Sequence, residues 1–213
     1  MLVDIHTHSA SNTDHPAIQN LTFIQADKIF ASNQEGLFSV GFHPWHANEF
    51  SVELLDKLKT WTADHRLAAI GECGLDKNRE VPFELQIRVF EAQIALSEER
   101  SKPLIIHCVG CFNELFDLKK KLTPRQLWII HGFRGKPELA RQALKTGCAL
   151  SFGEHYNSES VLLTPTDRLF IETDESTLPI TDIYRSISLI KSCHPDALNA
   201  GENFMKQLEL KSL

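Results

Sequence analysis

The feature that most constrains this chain is a succession of short apolar runs, each followed by a polar segment with helical spacing. The runs occupy residues 2–5, 36–41, 67–71, 104–106, 127–130, 149–152 and 169–171, with a weaker one at 17–24. Continuous apolar runs, unlike strict alternation, suit parallel strands covered on both faces. Helical stripes fill the gaps. Residues 51–64 open with Ser51 and align Leu54, Leu55, Leu58 and Trp61, and residues 81–100 carry Pro82 in the first turn and Phe83, Ile87, Phe90 and Ile94 on one side. Residues 111–122, 137–146 and 181–193 follow the same rule. Strands alternating with helices imply right-handed βαβ units. Eight strands in 213 residues predict an α/β chain of (β/α)8 TIM-barrel type, distorted and trimmed, because roughly 200 residues is near that fold's lower size limit. The trimming is expected between Ser9 and Gln34. No linker, repeat or charge block divides the chain, so residues 1–213 read as one domain.

Composition narrows the partners. Lys and Arg number 22 against 28 Asp and Glu, a formal charge of −6. Contact with nucleic acid therefore has to come from a local patch or a metal. No apolar run approaches the roughly 18 residues of a membrane span, and the opening residues lack a secretory pattern. Five scattered cysteines do not resemble a disulfide framework, which predicts a cytosolic protein with no membrane partner. Cys108 and Cys111 have Cys-x-x-Cys spacing, here read as ordinary packing. A nucleophile elbow, phosphate loop or dinucleotide fingerprint is absent.

The chemistry-bearing residues fall where the runs end. His6 and His8, two apart, point the same way on a strand. His43, Glu72, His107, His131 and Asp174 close later runs. In a parallel barrel the C-terminal strand ends converge on one mouth, so residues far apart in sequence meet there. Imidazole with carboxylate suits zinc, manganese, iron or nickel, and the carboxylates also admit magnesium. A single histidine after an apolar run is usually a hydrogen-bonded core residue. The recurrence of ligand-type residues at successive run ends favours a metal centre.

Six segments carry a family resemblance: Asp4-Ile5-His6-Thr7-His8, Gly41-Phe42-His43-Pro44, Gly71-Glu72-Cys73-Gly74-Leu75-Asp76, Pro103-Leu104-Ile105-Ile106-His107-Cys108, His131-Gly132-Phe133-Arg134-Gly135 and Glu172-Thr173-Asp174. In this order they resemble the TatD family of metal-dependent deoxyribonucleases, a branch of the amidohydrolase-like barrels. Phe83, Gln86, Phe90 and Gln93, and Ser151-Phe152-Gly153, fit as well. The resemblance implies a two-metal, phosphodiester-cleaving site. His6, His8, Glu72 and Asp174 would hold one ion, and Glu72 would bridge to a second completed by His107 and His131. Two ions about 3.5–4 Å apart activate a water and clamp the attacking and leaving oxygens. Asp174 is then the expected proton acceptor, with Glu72 the second catalytic carboxylate. His43 is expected on a substrate phosphate or packed on Trp45, and Asp76 is expected to orient the Glu72 loop.

The departures bear on substrate. Val109 and Gly110 stand where the family commonly has an Arg, and Arg134 is the candidate replacement for that phosphate contact. Glu175 and Ser176 follow Asp174 in place of Ala-Pro, and the loop over residues 177–183 is short. The expected activity is hydrolysis of DNA ends or small phosphoesters by a monomer. The alternatives are a PHP-type phosphoesterase, for which His15 would be the extra ligand, and an amide or ester hydrolase that has no nucleic-acid substrate.

Overall fold

The computed structural model describes residues 1–9 and 15–211, with side chains through residue 208. Its contacts group the chain into two compact units, Met1–Gln19 with Ile129–Leu213, and Asn20–Trp128. Every strand pairing within a unit is parallel.

In the second unit, β3 (Leu37–Val40), β4 (Leu67–Asp76) and β5 (Leu104–Val109) pair side by side in chain order. All ten residues of β4 are buried. That explains a run with no polar alternation, since a strand covered on both faces has no solvent side. Helices α1 (Phe23–Phe30), α2 (Val52–Trp61), α3 (Phe83–Arg100) and α4 (Phe112–Leu122) accompany these strands. Helix α2 begins where Ser51 accepts a hydrogen bond from the Leu54 N–H. Helix α3 buries Val89, Phe90, Gln93, Ile94 and Leu96, a stripe with helical spacing.

In the first unit, β1 (Asp4–Thr7) pairs with β2 (Ala17–Leu21), and β6 (Trp128–Ile130), β7 (Ala149–Phe152) and β8 (Leu169–Ile171) pair in order. A bridge between Thr7 and Asp174 brings the end of β8 to β1. Helices α5 (Pro137–Lys145), α6 (Ser158–Leu163), α7 (Ile180–Ile190) and α8 (Ala200–Lys211) complete this unit. Among the described residues, no helix is long and apolar enough to cross a membrane.

The structure departs from the sequence reading in three places. The run at 17–24 is not one strand: β2 ends at Leu21 and α1 starts at Phe23. Thr22 caps that helix in a reciprocal box with Gln25, a Thr-x-x-Gln signal that outweighs the apolar continuation. Strand β4 continues five residues past Gly71, so Glu72 lies inside a strand whose register shifts between Ile70 and Cys73. Helices α6 and α8 are absent from the sequence reading; α6 begins where the Asn157 side chain accepts from the Ser160 N–H. Residues 10–14, within the segment expected to be trimmed, lie outside the described residues.

Candidate metal centre

Within the first unit, His6 in β1 and His8 just beyond it meet edge to face, with ring centroids 5.0 Å apart. Beyond β8, Asp174 adopts a left-handed φ of 55°, which turns the chain back. Two backbone hydrogen bonds fix it against β1: the Asp174 N–H donates to the His6 carbonyl (3.0 Å) and the His8 N–H to the Asp174 carbonyl (3.1 Å). Asp174 Oδ1 then faces His6 Nε2 at 3.7 Å and His8 Nε2 at 3.5 Å. These separations are long for direct hydrogen bonds. They are the spacing kept by donors that share a cation at about 2.0–2.2 Å each. The two imidazoles and the carboxylate fit a divalent ion by donor chemistry as well.

Asp4, Thr173 and Glu172, which the sequence reading did not single out as site residues, hold this cluster. Asp4 is buried and accepts from the Thr173 N–H (3.0 Å) and hydroxyl (2.6 Å), which fixes the residue before Asp174. Burial pushes the Asp4 carboxyl up to about 7, against the lowering effect of those Thr173 bonds. Glu172 is fully buried, accepts from the Gly132 N–H at 2.6 Å and faces His131 Nδ1 at 3.4 Å. Burial raises the Glu172 carboxyl, but His131 and His6 outweigh it and leave it below its ordinary range. His131, Glu172 and Asp174 form a second possible donor set. The signal for Asp4 and Glu172 was the period-two spacing that places them at i−2 from His6 and Asp174. A cleft of about 220 Å³ opens beside Asp174, with Arg134, Glu154, His155 and Glu175 among its lining residues. Arg134 is exposed there.

In the second unit, Glu72 Oε1 receives two imidazoles, His43 Nε2 at 3.0 Å and His107 Nδ1 at 2.9 Å. Asn20 Oδ1 accepts from the Glu72 N–H at 2.8 Å, a positioning contact absent from the sequence reading. The two histidines play different parts. His43 Nδ1 accepts from the Trp45 N–H at 3.1 Å, so in the neutral ring the proton is on Nε2 and is donated to Glu72. His43 also packs edge-on to Trp45 with ring centroids 4.8 Å apart. His107 Nε2 meets Asp76 Oδ2 at 3.0 Å while Nδ1 meets Glu72. A neutral imidazole has one N–H for these two carboxylates. A proton or a cation at Nδ1 is required to satisfy the second, and a divalent ion supplies that charge. The donor set of Glu72 and His107 therefore fits a metal.

Asp76 binds the strand end together. Its Oδ2 also accepts from the Trp45 indole N–H at 2.7 Å, and its Oδ1 from the Asn78 N–H at 2.8 Å. Burial pushes the Asp76 carboxyl up, but the bonds from Trp45, Asn78 and His107 prevail and hold it below its ordinary range. Asp76 thus orients His107 directly and does not act only on the Glu72 loop. Two buried glutamines of α3, seven residues apart, clamp the backbone behind these groups. Gln93 accepts from the Phe42 N–H (2.7 Å) and donates to the Phe42 carbonyl (3.1 Å), and Gln86 does the same for Asp76 at 2.8 and 3.0 Å. Gly74, at φ 132°, lies so close to β5 that a Cβ there would strike the His107 carbonyl oxygen. Cys108 and Cys111 are buried cysteines outside any disulfide, with sulfurs 3.8 Å apart.

Comparison with known proteins agrees with this architecture. YJJV, a TatD homologue from Escherichia coli K12, superposes with a TM-score of 0.82 at 19% identity, covering 97% of each chain. That likeness shows the fold, and with it the α/β class of eight parallel strands with helices. YabD, an uncharacterized metal-dependent hydrolase of Bacillus subtilis, is 35% identical over 145 residues, which cover 64% of this chain and 57% of YabD. The 3'-5' ssDNA/RNA exonuclease TatD of Erwinia amylovora is 33% identical over 147 residues, 64% of this chain and 56% of the relative. The match thus spans little more than half the length of these two relatives. The family model described as TatD related DNase matches residues 3–200. The chain belongs to the TatD-related DNase family.

Proposed function

We propose that the chain is a divalent-metal-dependent phosphodiesterase that cleaves the ends of single-stranded nucleic acid or small phosphoesters. The observation that carries this reading is the facing of His6 and His8 on one oxygen of Asp174 at 3.7 and 3.5 Å. Family membership and the exonuclease relative supply the reaction class. The proposed ligands are His6, His8, Glu72, His107, His131 and Asp174, holding two ions of zinc, manganese, magnesium, iron or nickel. The sharing of Glu72 between them rests on the resemblance. Divalent ions at such sites polarise a phosphodiester and lower the pKa of the attacking water.

The protein's own groups do the rest. Asp174, 29% exposed at the cleft, accepts the proton of the attacking water. Its left-handed backbone and the Asp4–Thr173 bonds keep that carboxylate aimed at His6 and His8. The His43 N–H, which donates to Glu72, would turn to a substrate phosphate oxygen when Glu72 takes a metal ion. Arg134, exposed on the cleft that Asp174 lines, is the proposed side-chain contact for a substrate phosphate there. Five cysteines outside any disulfide suit a reducing, cytosolic setting.

A net charge of −6 leaves few cations for a long duplex. Cleavage of a 3′-ended single strand is therefore expected to exceed nicking of a closed circular duplex at every salt concentration, with Asp174→Asn abolishing most turnover of the single strand. Efficient nicking of the circle with a steep salt dependence, or full turnover by Asp174→Asn, contradicts the reading.

A further inference from the structure

Behind the Glu72–His107 cluster stands an aromatic–cation pair that the proposed chemistry does not use. Trp45 is 40% exposed, and its ring lies edge-on to His107 with centroids 5.8 Å apart. The hydrogen bond from its indole N–H to Asp76 Oδ2, the oxygen that also holds His107, fixes the ring in place. The guanidinium of Arg79 lies over the Trp45 ring, 3.6 Å from its centroid. Arg79 is exposed, and among the described residues it makes no ion pair with a carboxylate. Its neighbour Lys77 is already paired with Glu114. A guanidinium stacked by one face keeps its in-plane N–H donors free, which is the geometry for bidentate contact with a phosphate. The stack also restrains a side chain that would otherwise lose rotamer freedom on binding.

We infer that Arg79, held on Trp45, is a phosphate-binding subsite for the nucleotide next to the one hydrolysed, and so selects single-stranded oligonucleotides over one-phosphate esters. The inference rests on the proposed phosphodiesterase reading and deepens it. Arg79 lies one side chain beyond His107, so a phosphate on it belongs to the adjoining unit of a flexible strand. Its chain neighbours sit beside the end of β5: the Lys77 N–H donates to the Val109 carbonyl at 3.1 Å, and Gly110 lies next to Lys77 and Asn78. A contact to phosphate carries no sequence information, so this subsite would bind single strands of any sequence.

The test is equilibrium binding of a short phosphorothioate single strand to the metal-loaded full chain, followed by fluorescence anisotropy across a salt series. Arg79→Gln is expected to weaken binding about fivefold and to reduce the slope of log K against log salt by about 0.7, the share of one single-strand phosphate. Trp45 is the exposed tryptophan, since Trp61 and Trp128 are 9% and 0% exposed, so binding should also shield indole fluorescence from iodide in wild type. A salt slope in Arg79→Gln equal to that of wild type, or no binding by wild type, overturns the subsite. The parent reading is judged separately, by wild-type hydrolysis of bis(4-nitrophenyl) phosphate. Loss of that activity with the slope change intact would remove the phosphodiesterase reading and leave the subsite standing.

Discussion

At the scale of single residues, the candidate centre is governed by which nitrogen or oxygen each group has already committed. Asp76 takes up the Nε2 side of His107 and leaves Nδ1 toward Glu72. Asp76→Asn keeps the size and the bond to Trp45 but removes the charge that orients the ring and raises its basicity. Its affinity for the ion on Glu72 and His107 should fall about 10- to 100-fold, measured by competition with a chelating dye. An unchanged affinity would show that His107 is oriented without it. Asp4 offers a test in pH. Its carboxyl is raised from 3.8 to about 7, so between those values the native state holds a proton that the unfolded chain has lost. This group's contribution to stability therefore falls as pH rises, by up to about 1.4 kcal/mol per unit. In metal-stripped protein, Asp4→Asn should gain on wild type from pH 4 to 7 in urea unfolding. A difference that stays flat across that range would mean Asp4 titrates normally.

At the scale of elements, the strands were legible because burial on both faces writes itself as uninterrupted apolar runs, and β7 and β8 fall on residues 149–152 and 169–171 as expected. The lengths of the others were not. Strand β4 was expected to stop at Gly71, because Glu72 is polar and reads as a strand end. The strand continues because Glu72, Gly74 and Asp76 are accommodated by a register shift and by partners on β5 and α3. Such partners are far off in sequence and leave no local periodicity. The six proposed ligands are taken from run ends, and period-two spacing from His6 and Asp174 reaches Asp4 and Glu172, whereas Asn20 acts on Glu72 through a single hydrogen bond that no spacing rule encodes. The glutamines of α3 show the same limit. As a pattern they resembled a family helix, and their work is visible only as clamps on Phe42 and Asp76. Gln93→Leu would leave the buried Phe42 N–H and carbonyl unpaired. A loss of about 2–4 kcal/mol in unfolding free energy is expected, with weakened turnover because His43 follows Phe42. Wild-type stability in that variant would mean that water or another group satisfies the strand end.

At the scale of the whole molecule, the acidic balance and the metal-ligand inventory point in one direction. A chain with 28 acidic and 22 basic residues does not grip a polyanion by its surface at large. On the proposed reading its grip would be local, at the proposed ions and at single cations such as Arg134 and Arg79. The fold, shared with YJJV over 97% of the chain, sets strand ends as the place for such a grip. The proposed reading assigns substrate breadth to the periphery, where the sequence departs from the resemblance after His107 and after Asp174. The central claim concerns the metal. Elemental analysis of chelator-stripped and reloaded protein, wild type beside Glu72→Ala, tests it most directly. Two divalent ions per wild-type chain and a reduced content in Glu72→Ala are expected. A wild type that retains none, or a Glu72→Ala variant that holds as much as wild type, would contradict it.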